Sequence, residues 1–543
     1  MESSFFGTDG IRGKTSVQTV DEVEAIDLLV NERTLTPAFM RVLGEALSHV
    51  QPGLPGEGER VVIGWDRRPH NPDLVEALTL GLRLTGSEVV HIGECATPTL
   101  HHAVLAFGAR IGCMITASHN PVTDSGIKVF DANGYKSTPK TEEDISRTLR
   151  QLAAEDREVD EVDRRSAARP DAVHKTWSAE AHAAWLTHRW DLFGDLFGGC
   201  SEALADGTFA DPLLLDCAGG FGRGWLAPWF AQRGIACREV SQNVALLNDG
   251  CGAGDFSPTQ RWTHEEAAAS THRLISQLKP APEGQWVGAA LDGDGDRCLL
   301  IQATSTGYKV VDGDAMAAVL MAASRDNGWS FAASIESDVA LPSFVRTQDP
   351  TAKTHETAVG DRWLAFALRP AEGGLLQHTS MPLCLGIEDS GHLILPAPHP
   401  MDDERWSLVG DGAATLCAVL QAADRGASVD FERGWKSRIS VTESHRERWH
   451  PRAEVFETVA QCIETHLREH VGFPERRTVE GEANLLLIAA EGPGGAASVG
   501  VRNSGTQAKT TLSVRLSPGT PAEPFVGLMT EVRHLLASAL CEA

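Results

Sequence analysis

Short apolar runs alternate with longer amphipathic stretches along most of this chain, and that alternation predicts strands joined by helices. A helical pattern from Pro37 to Val50 leads to a strand at Val61–Gly64, and a second from Pro72 to Thr85 leads to a strand at Glu88–Ile92. A third, Thr99 to Phe107, precedes the apolar run that ends just before Ser118. The pattern restarts with the strand Pro212–Asp216, and again where Val310–Met316 opens a helix to Ala323. A strand near Ser334–Glu336 and a helix start at Thr357–Leu364 follow. From about Arg433 the spacing gives a helix, Ala453 to His470, and strands at Asn484–Ile488 and Thr510–Arg515. Strand and helix in alternation mean βαβ units, so the fold class is α/β with mixed, mostly parallel sheets. In such sheets, sites form in the loops at the carboxyl ends of strands.

From Glu142 to about Asp211 the alternation stops. A charged run, Glu155 to Arg165, precedes a Trp- and His-bearing helical stretch from Trp177 to Trp190, read as a boundary with an elaborated helical linker. A chain of 543 residues exceeds one hydrophobic core, so several domains are expected.

The formal charge of −26 disfavours nucleic acid or an anionic membrane as partner, and an anionic substrate then needs a local basic pocket. Eleven cysteines without a C-x-x-C pair read as free thiols in a reducing compartment. The N-terminus lacks a basic, apolar leader and no segment reaches spanning length, so the expected location is the cytoplasm.

Several segments carry candidate chemistry. Gly112 to Pro121 runs out of a strand into a polar turn that presents Ser118, with His119 beside it. The hydroxyl is either a nucleophile or phosphoryl carrier, or simply a turn residue. Lys128, in the next short strand, is either a solvated strand residue or, near a phosphoserine, a group that neutralises charge or moves a proton. The opening turn, Phe6 to Gly13, sets Arg12 among glycines that let backbone amides approach an anion. Asp292, Asp294 and Asp296 alternate with glycines between apolar strands and would wrap one hard cation. Arg297 and Ala303 stand where a calcium loop needs glycine and glutamate, which favours magnesium. Glu388, Ser390 and His392 share a tight loop able to meet hydroxyls. Arg502, Ser504, Gly505 and Thr506 form a compact anion cradle. His466 and His470 are helix-spaced, but Leu467 stands where a zinc protease needs glutamate.

Taken in order, Thr116-Ala-Ser-His-Asn-Pro121, Asp292-Gly-Asp-Gly-Asp-Arg297, Gly386-Ile-Glu-Asp-Ser-Gly-His392 and Arg502-Asn-Ser-Gly-Thr506 resemble the motifs of the α-D-phosphohexomutase family. The opening turn and Val359-Gly-Asp-Arg362 are similar to its phosphoglucosamine mutase branch. The resemblance implies four domains around a cleft, the last smaller and movable. The expected spans are 1–165, 166–305, 306–430 and 431–543. It implies Ser118 as phosphoryl carrier and Asp292, Asp294 and Asp296 as magnesium ligands together with the serine phosphate. Glu388, Ser390, Asp361 and Arg362 are then substrate-binding, and Arg502, Ser504, Gly505 and Thr506 hold the non-reacting phosphate. Arg12, Lys128, Arg297, His119 and His392 line the reacting end. A small phosphosugar is the implied partner, a hexose bisphosphate the implied intermediate and activator, and the assembly a monomer or homodimer. The implied reaction moves phosphate between glucosamine positions 6 and 1. Glucose or mannose phosphates, a metal-dependent phosphatase and a silent sugar-phosphate sensor are the other readings. The sequence departs from the branch at Ile387, Asp389 and Gln507. Its extra material at 150–210 and 397–408 has no assigned counterpart.

Overall fold

The computed structural model describes residues 5–50, 60–155, 159–167, 172–174, 177–198, 208–424, 431–503 and 508–541. Four sheets follow one another along the chain. The first has seven strands, ordered Thr34–Leu35, Ile11–Thr15, Asp124–Phe130, Ile111–Ile115, Arg60–Trp65, Glu88–Glu94 and Ala172–Val173. Parallel pairs prevail there, with Asp124–Phe130 antiparallel to both its neighbours. The second and third sheets have six strands each and mix both senses. The fourth, of five strands, is antiparallel throughout and is covered by helices Glu454–His470 and Glu523–Cys541.

One supersecondary unit recurs in the first three sheets. A buried strand ends in a polar loop, and the chain returns antiparallel beside it: Ile111–Ile115 to Asp124–Phe130, Trp286–Leu291 to Cys298–Thr304, and Cys384–Ile387 to Leu393–His399. All three outgoing strands are buried at every position, which is why each reads as a continuous apolar run. The loops they deliver hold Ser118, the aspartate triplet and Glu388.

The expected spans meet the sheets as follows. Gly307–Val311 pairs with Cys298–Thr304 in the second sheet, across the 305/306 division, and Ala172–Val173 extends the first sheet beyond residue 165. The second and third sheets share a single buried core, while the first and fourth have their own. Residues 397–408 are part of the hairpin Leu393–His399 and Asp402–Gly410, with Trp406 buried and its Nε1–H donating to the carbonyl of His378.

The linker expected after residue 142 is a packed helix, Trp177–Phe197. Its His182 bonds Thr99 of the first unit, its Arg189 reaches Asp411 of the third at 2.7 Å, and Trp185 Nε1–H donates to the Pro398 carbonyl. The cysteines among the described residues are free, and no helix there is long and apolar enough to cross a membrane.

Candidate active site

Ser118 takes a left-handed backbone conformation, φ 53°, unusual for a residue with a Cβ. Thr116 holds it there: its hydroxyl accepts the Ser118 N–H at 2.8 Å and donates to Asp66 at 2.6 Å. Arg68, buried and bonded to Asp66, donates to the carbonyls of Ser118, Asn120 and Pro121. From the second unit, Asn248 donates to the Ser118 carbonyl at 2.8 Å. The turn is thus gripped from both sides, and its hydroxyl points at the aspartate loop: Ser118 Oγ lies 2.8 Å from Asp292 Oδ2.

Gly293 makes that approach possible, since a Cβ there would sit 2.8 Å from the Ser118 carbonyl oxygen and against the Asn248 amide. Asp292, Asp294 and Asp296 are fully buried, with one oxygen of each within 4.8 Å of the others. Burial and then the neighbouring carboxylates push Asp292 up to about 7. Asp294 Oδ1 has no hydrogen-bond partner in the structure. Crowded, desolvated carboxylates with an orphaned oxygen and a hydroxyl alongside fit a hard divalent ion. A second buried triplet, Asp312, Asp314 and Asp389, differs because Lys436 bonds all three, at 3.3, 2.7 and 2.7 Å.

Lys128 is buried and bonds Asp294 and Asp296, both at 2.7 Å. Burial disfavours its charge, but Asp294, Asp296 and Asp9 outweigh burial and hold its pKa well above the usual range. It is therefore a fixed positive charge that offsets the aspartates around it. Asp9 sits between Lys128 at 3.1 Å and Lys136 at 2.8 Å, and Lys136 also bonds Asp361 at 2.7 Å. Arg12 bonds the Asn120 side chain of the serine turn at 3.3 Å.

His392 joins the Glu388 loop to the aspartate loop. Its Nε2 lies 2.7 Å from Asp296 and its Nδ1 3.0 Å from Glu388. Burial opposes its charge, yet Asp296 and Glu388 raise it to about 10, so both nitrogens carry protons. Arg297 Nε, 3.3 Å from the same Nε2, is then a second donor facing it and no bond forms between them. Glu388 also accepts the Gly360 N–H at 2.7 Å, and Ser390 Oγ lies 3.4 Å away. His119 behaves oppositely: Arg297, then burial, then Arg12 lower it to about 3, and its Nδ1 is buried with no hydrogen-bond partner.

Arg362 bonds the first unit through Glu142 at 2.5 Å. Arg502 enters from the fourth sheet and meets Glu336 at 3.2 Å, with its Nε buried and unpartnered. Ser504, Gly505 and Thr506 lie outside the described residues. The structure therefore brings the serine turn, the aspartate loop, Lys128, Arg297, His119 and the Glu388 loop together. It leaves Arg502 at the edge, against the third unit.

Residues 3–156 match phosphoglucomutase/phosphomannomutase, alpha/beta/alpha domain I, and residues 312–433 match domain III of the same proteins. Over 443 residues, 80% of this chain and 82% of the relative, the sequence is 30% identical to the phosphoglucosamine mutase of Kineococcus radiotolerans. The chain belongs to the α-D-phosphohexomutase family. Among solved structures, a phosphoglucomutase/phosphomannomutase family protein from Burkholderia thailandensis is similar over 99% of this chain and 98% of that one. Its TM-score is 0.61 at 19% identity. Aspergillus fumigatus N-acetylphosphoglucosamine mutase, solved with GlcNAc-6P and magnesium, covers 93% of this chain and 99% of its own at TM-score 0.55 and 14% identity.

Several members of this phosphohexomutase site escaped sequence reasoning. Asp66, Arg68, Thr97 and Lys136 carry no motif, and Thr97 Oγ1–H reaches Asp294 at 2.7 Å from the start of a first-unit helix. Asn248 and Asp9 lie in glycine-rich turns that were visible, but only the fold shows what those turns touch.

Proposed function

We propose that this phosphohexomutase is a phosphoglucosamine mutase that carries its phosphoryl group on Ser118. The observation that supports this most directly is the contact of Ser118 Oγ with Asp292 at 2.8 Å, across the seam between two sheets. The sugar assignment draws on relatives named phosphoglucosamine mutase. Glucose or mannose phosphates remain the competing substrates.

In the forward direction the phosphoserine P–O bond breaks as a bond forms to the free sugar hydroxyl, giving a hexose bisphosphate. The hydroxyl proton ends on the seryl oxygen, so no net acid or base is consumed. His119, next to Ser118 in the chain and with an unpartnered Nδ1, would carry that proton. Lys128, Arg297 and Arg12 supply fixed positive charge to the transferring group. After the intermediate turns end for end, Ser118 takes the other phosphate. A magnesium ion held by Asp292, Asp294, Asp296 and the serine phosphate would neutralise charge and act as Lewis acid there. Glu388 and Ser390 would meet sugar hydroxyls, and Asp361 and Arg362 the substrate's flank. Arg502, with its unpartnered Nε, would hold the distal phosphate together with Ser504, Gly505 and Thr506.

The departure at Asp389 concerns the docking of the last sheet. Its carboxylate turns to Lys436 at 2.7 Å and Arg438 at 2.6 Å, both in the fourth sheet, so this position acts on docking of that sheet rather than on the sugar. Three measurements test the reading. Intact mass with site mapping should find phosphate on Ser118. Turnover on the three hexose 6-phosphates should favour glucosamine, and preference for glucose or mannose would reassign the substrate. Ser118→Ala should abolish turnover, and undiminished activity would end the mechanism.

A further inference from the structure

A cavity of about 770 Å³ opens among the second, third and fourth units, away from the serine turn. One wall contains Trp286, the first residue of the strand whose other end delivers Asp292, so the cavity lies on the order of 17 Å along that strand from the metal loop. The lining also includes Phe431 and Arg433 to Lys436, in the segment that leads into the fourth sheet.

Its charge distribution is unusual for a protein of net charge −26. Arg261 and Lys309 are direct cross-strand partners on an antiparallel pair and both line the cavity. Like charges directly opposed across a sheet are destabilising, and an anion between them relieves that cost. Arg433 adds a third cation, already bonded to Asp312 at 2.6 Å, and Asp312 is shared with Lys436. Among the described residues, neither Arg261 nor Lys309 forms an ion pair with a carboxylate. Burial, then Arg261 and Arg433, lower the Lys309 pKa, and the carboxylates of Asp312 and Glu283 offset this only in part. Beside these cations the lining is aromatic: Trp286, Phe431 and Trp435. None of these six residues belongs to the site described above.

We infer that this cavity binds an organic phosphate carrying a flat aromatic group, with the phosphate between Arg261 and Lys309 and the ring against Trp286, Phe431 and Trp435. The volume suits a nucleotide-sized ligand. Guanidinium and ammonium recognise the phosphate, and aromatic faces recognise the ring. The inference is independent of which sugar the enzyme turns over.

Adenosine 5′-monophosphate is the probe, titrated calorimetrically into the full-length protein with and without saturating glucosamine 6-phosphate. One molecule should bind per chain, unaffected by the sugar phosphate, and at least about tenfold more tightly than inorganic phosphate or adenosine alone. In R261E/K309E the affinity should fall by at least about tenfold while turnover without nucleotide is unchanged. Arg261→Ala, at an exposed position, gives the same readout with less risk to folding. No binding of the nucleotide at millimolar concentration overturns the inference. So does binding that both variants retain, or binding displaced by glucosamine 6-phosphate.

Discussion

Lys128 shows how a single residue sets the character of this site. Its ammonium is buried with three aspartates, and each partner keeps the others charged. Lys128→Met should destabilise the protein by about 3–5 kcal/mol, because removing one partner leaves desolvated carboxylates uncompensated. Denaturant unfolding of the two proteins checks this, and a loss below about 1 kcal/mol would mean that solvent reaches the site. From sequence, Lys128 read as a lysine in a short strand beside the serine turn. Its buried partners, Asp294 and Asp296, lie more than a hundred and sixty residues away and became visible only with the fold.

At the scale of elements, the recurring strand, loop and returning strand does most of the positioning. Each outgoing strand is apolar at every position, so its end is fixed in the core and the polar loop begins at a defined height. The aspartate loop depends further on Gly293, where a side chain would strike the Ser118 carbonyl and Asn248. Gly293→Ala should leave unfolding cooperative but lower turnover on the order of a hundredfold, the usual result of shifting reacting groups by about an ångström. Steady-state kinetics beside a thermal melt distinguish this from misfolding, and near-normal kcat would show that the loop adapts. The strands and the loops between them were legible because an apolar run broken by Asp-Gly-Asp-Gly-Asp has few other structures open to it. The helix Gly412–Asp424 was not, since Ala- and Leu-rich stretches without flanking punctuation carry weak periodicity.

Across the whole molecule, the units are fastened by buried polar contacts, and these make stability depend on pH. His101 bonds the Gly134 carbonyl at 2.6 Å and Ser407 of the third unit at 2.8 Å, while His102 packs on Trp185 at 4.7 Å. Burial lowers His101 to about 4 and His102 to about 3, against about 6.5 in an unfolded chain. Below 6.5 the unfolded chain binds more protons than the folded one. The stabilisation is therefore complete above that pH and lost progressively toward the folded values. His102→Phe keeps the ring contact and removes one titration, so the fall in melting temperature between pH 6.5 and about 4 should be shallower than in the parent protein. An unchanged pH profile would exclude His102 as a contributor.

Lys436 is the corresponding fastener for the last unit, bonding Asp312, Asp314 and Asp389. Lys436→Met should loosen the fourth sheet from the third, seen as faster limited proteolysis between them, while the first unit stays protected. Equal protection in both proteins would place the docking energy elsewhere, such as the Arg515 contacts to Ser337 and Glu356.

The sequence by itself determined the chemistry on offer and the class of fold. Both rest on short-range properties: which residues neighbour one another, and how apolar positions repeat along a few turns or strands. Only the tertiary structure decided which charges meet, that two of the four sheets share one core, that the Trp177–Phe197 helix fastens three units, and that Asp389 faces the last sheet instead of the sugar loop's cleft. Those outcomes depend on groups far apart in the chain brought together by burial, where desolvation makes each charge require a partner that local sequence does not specify.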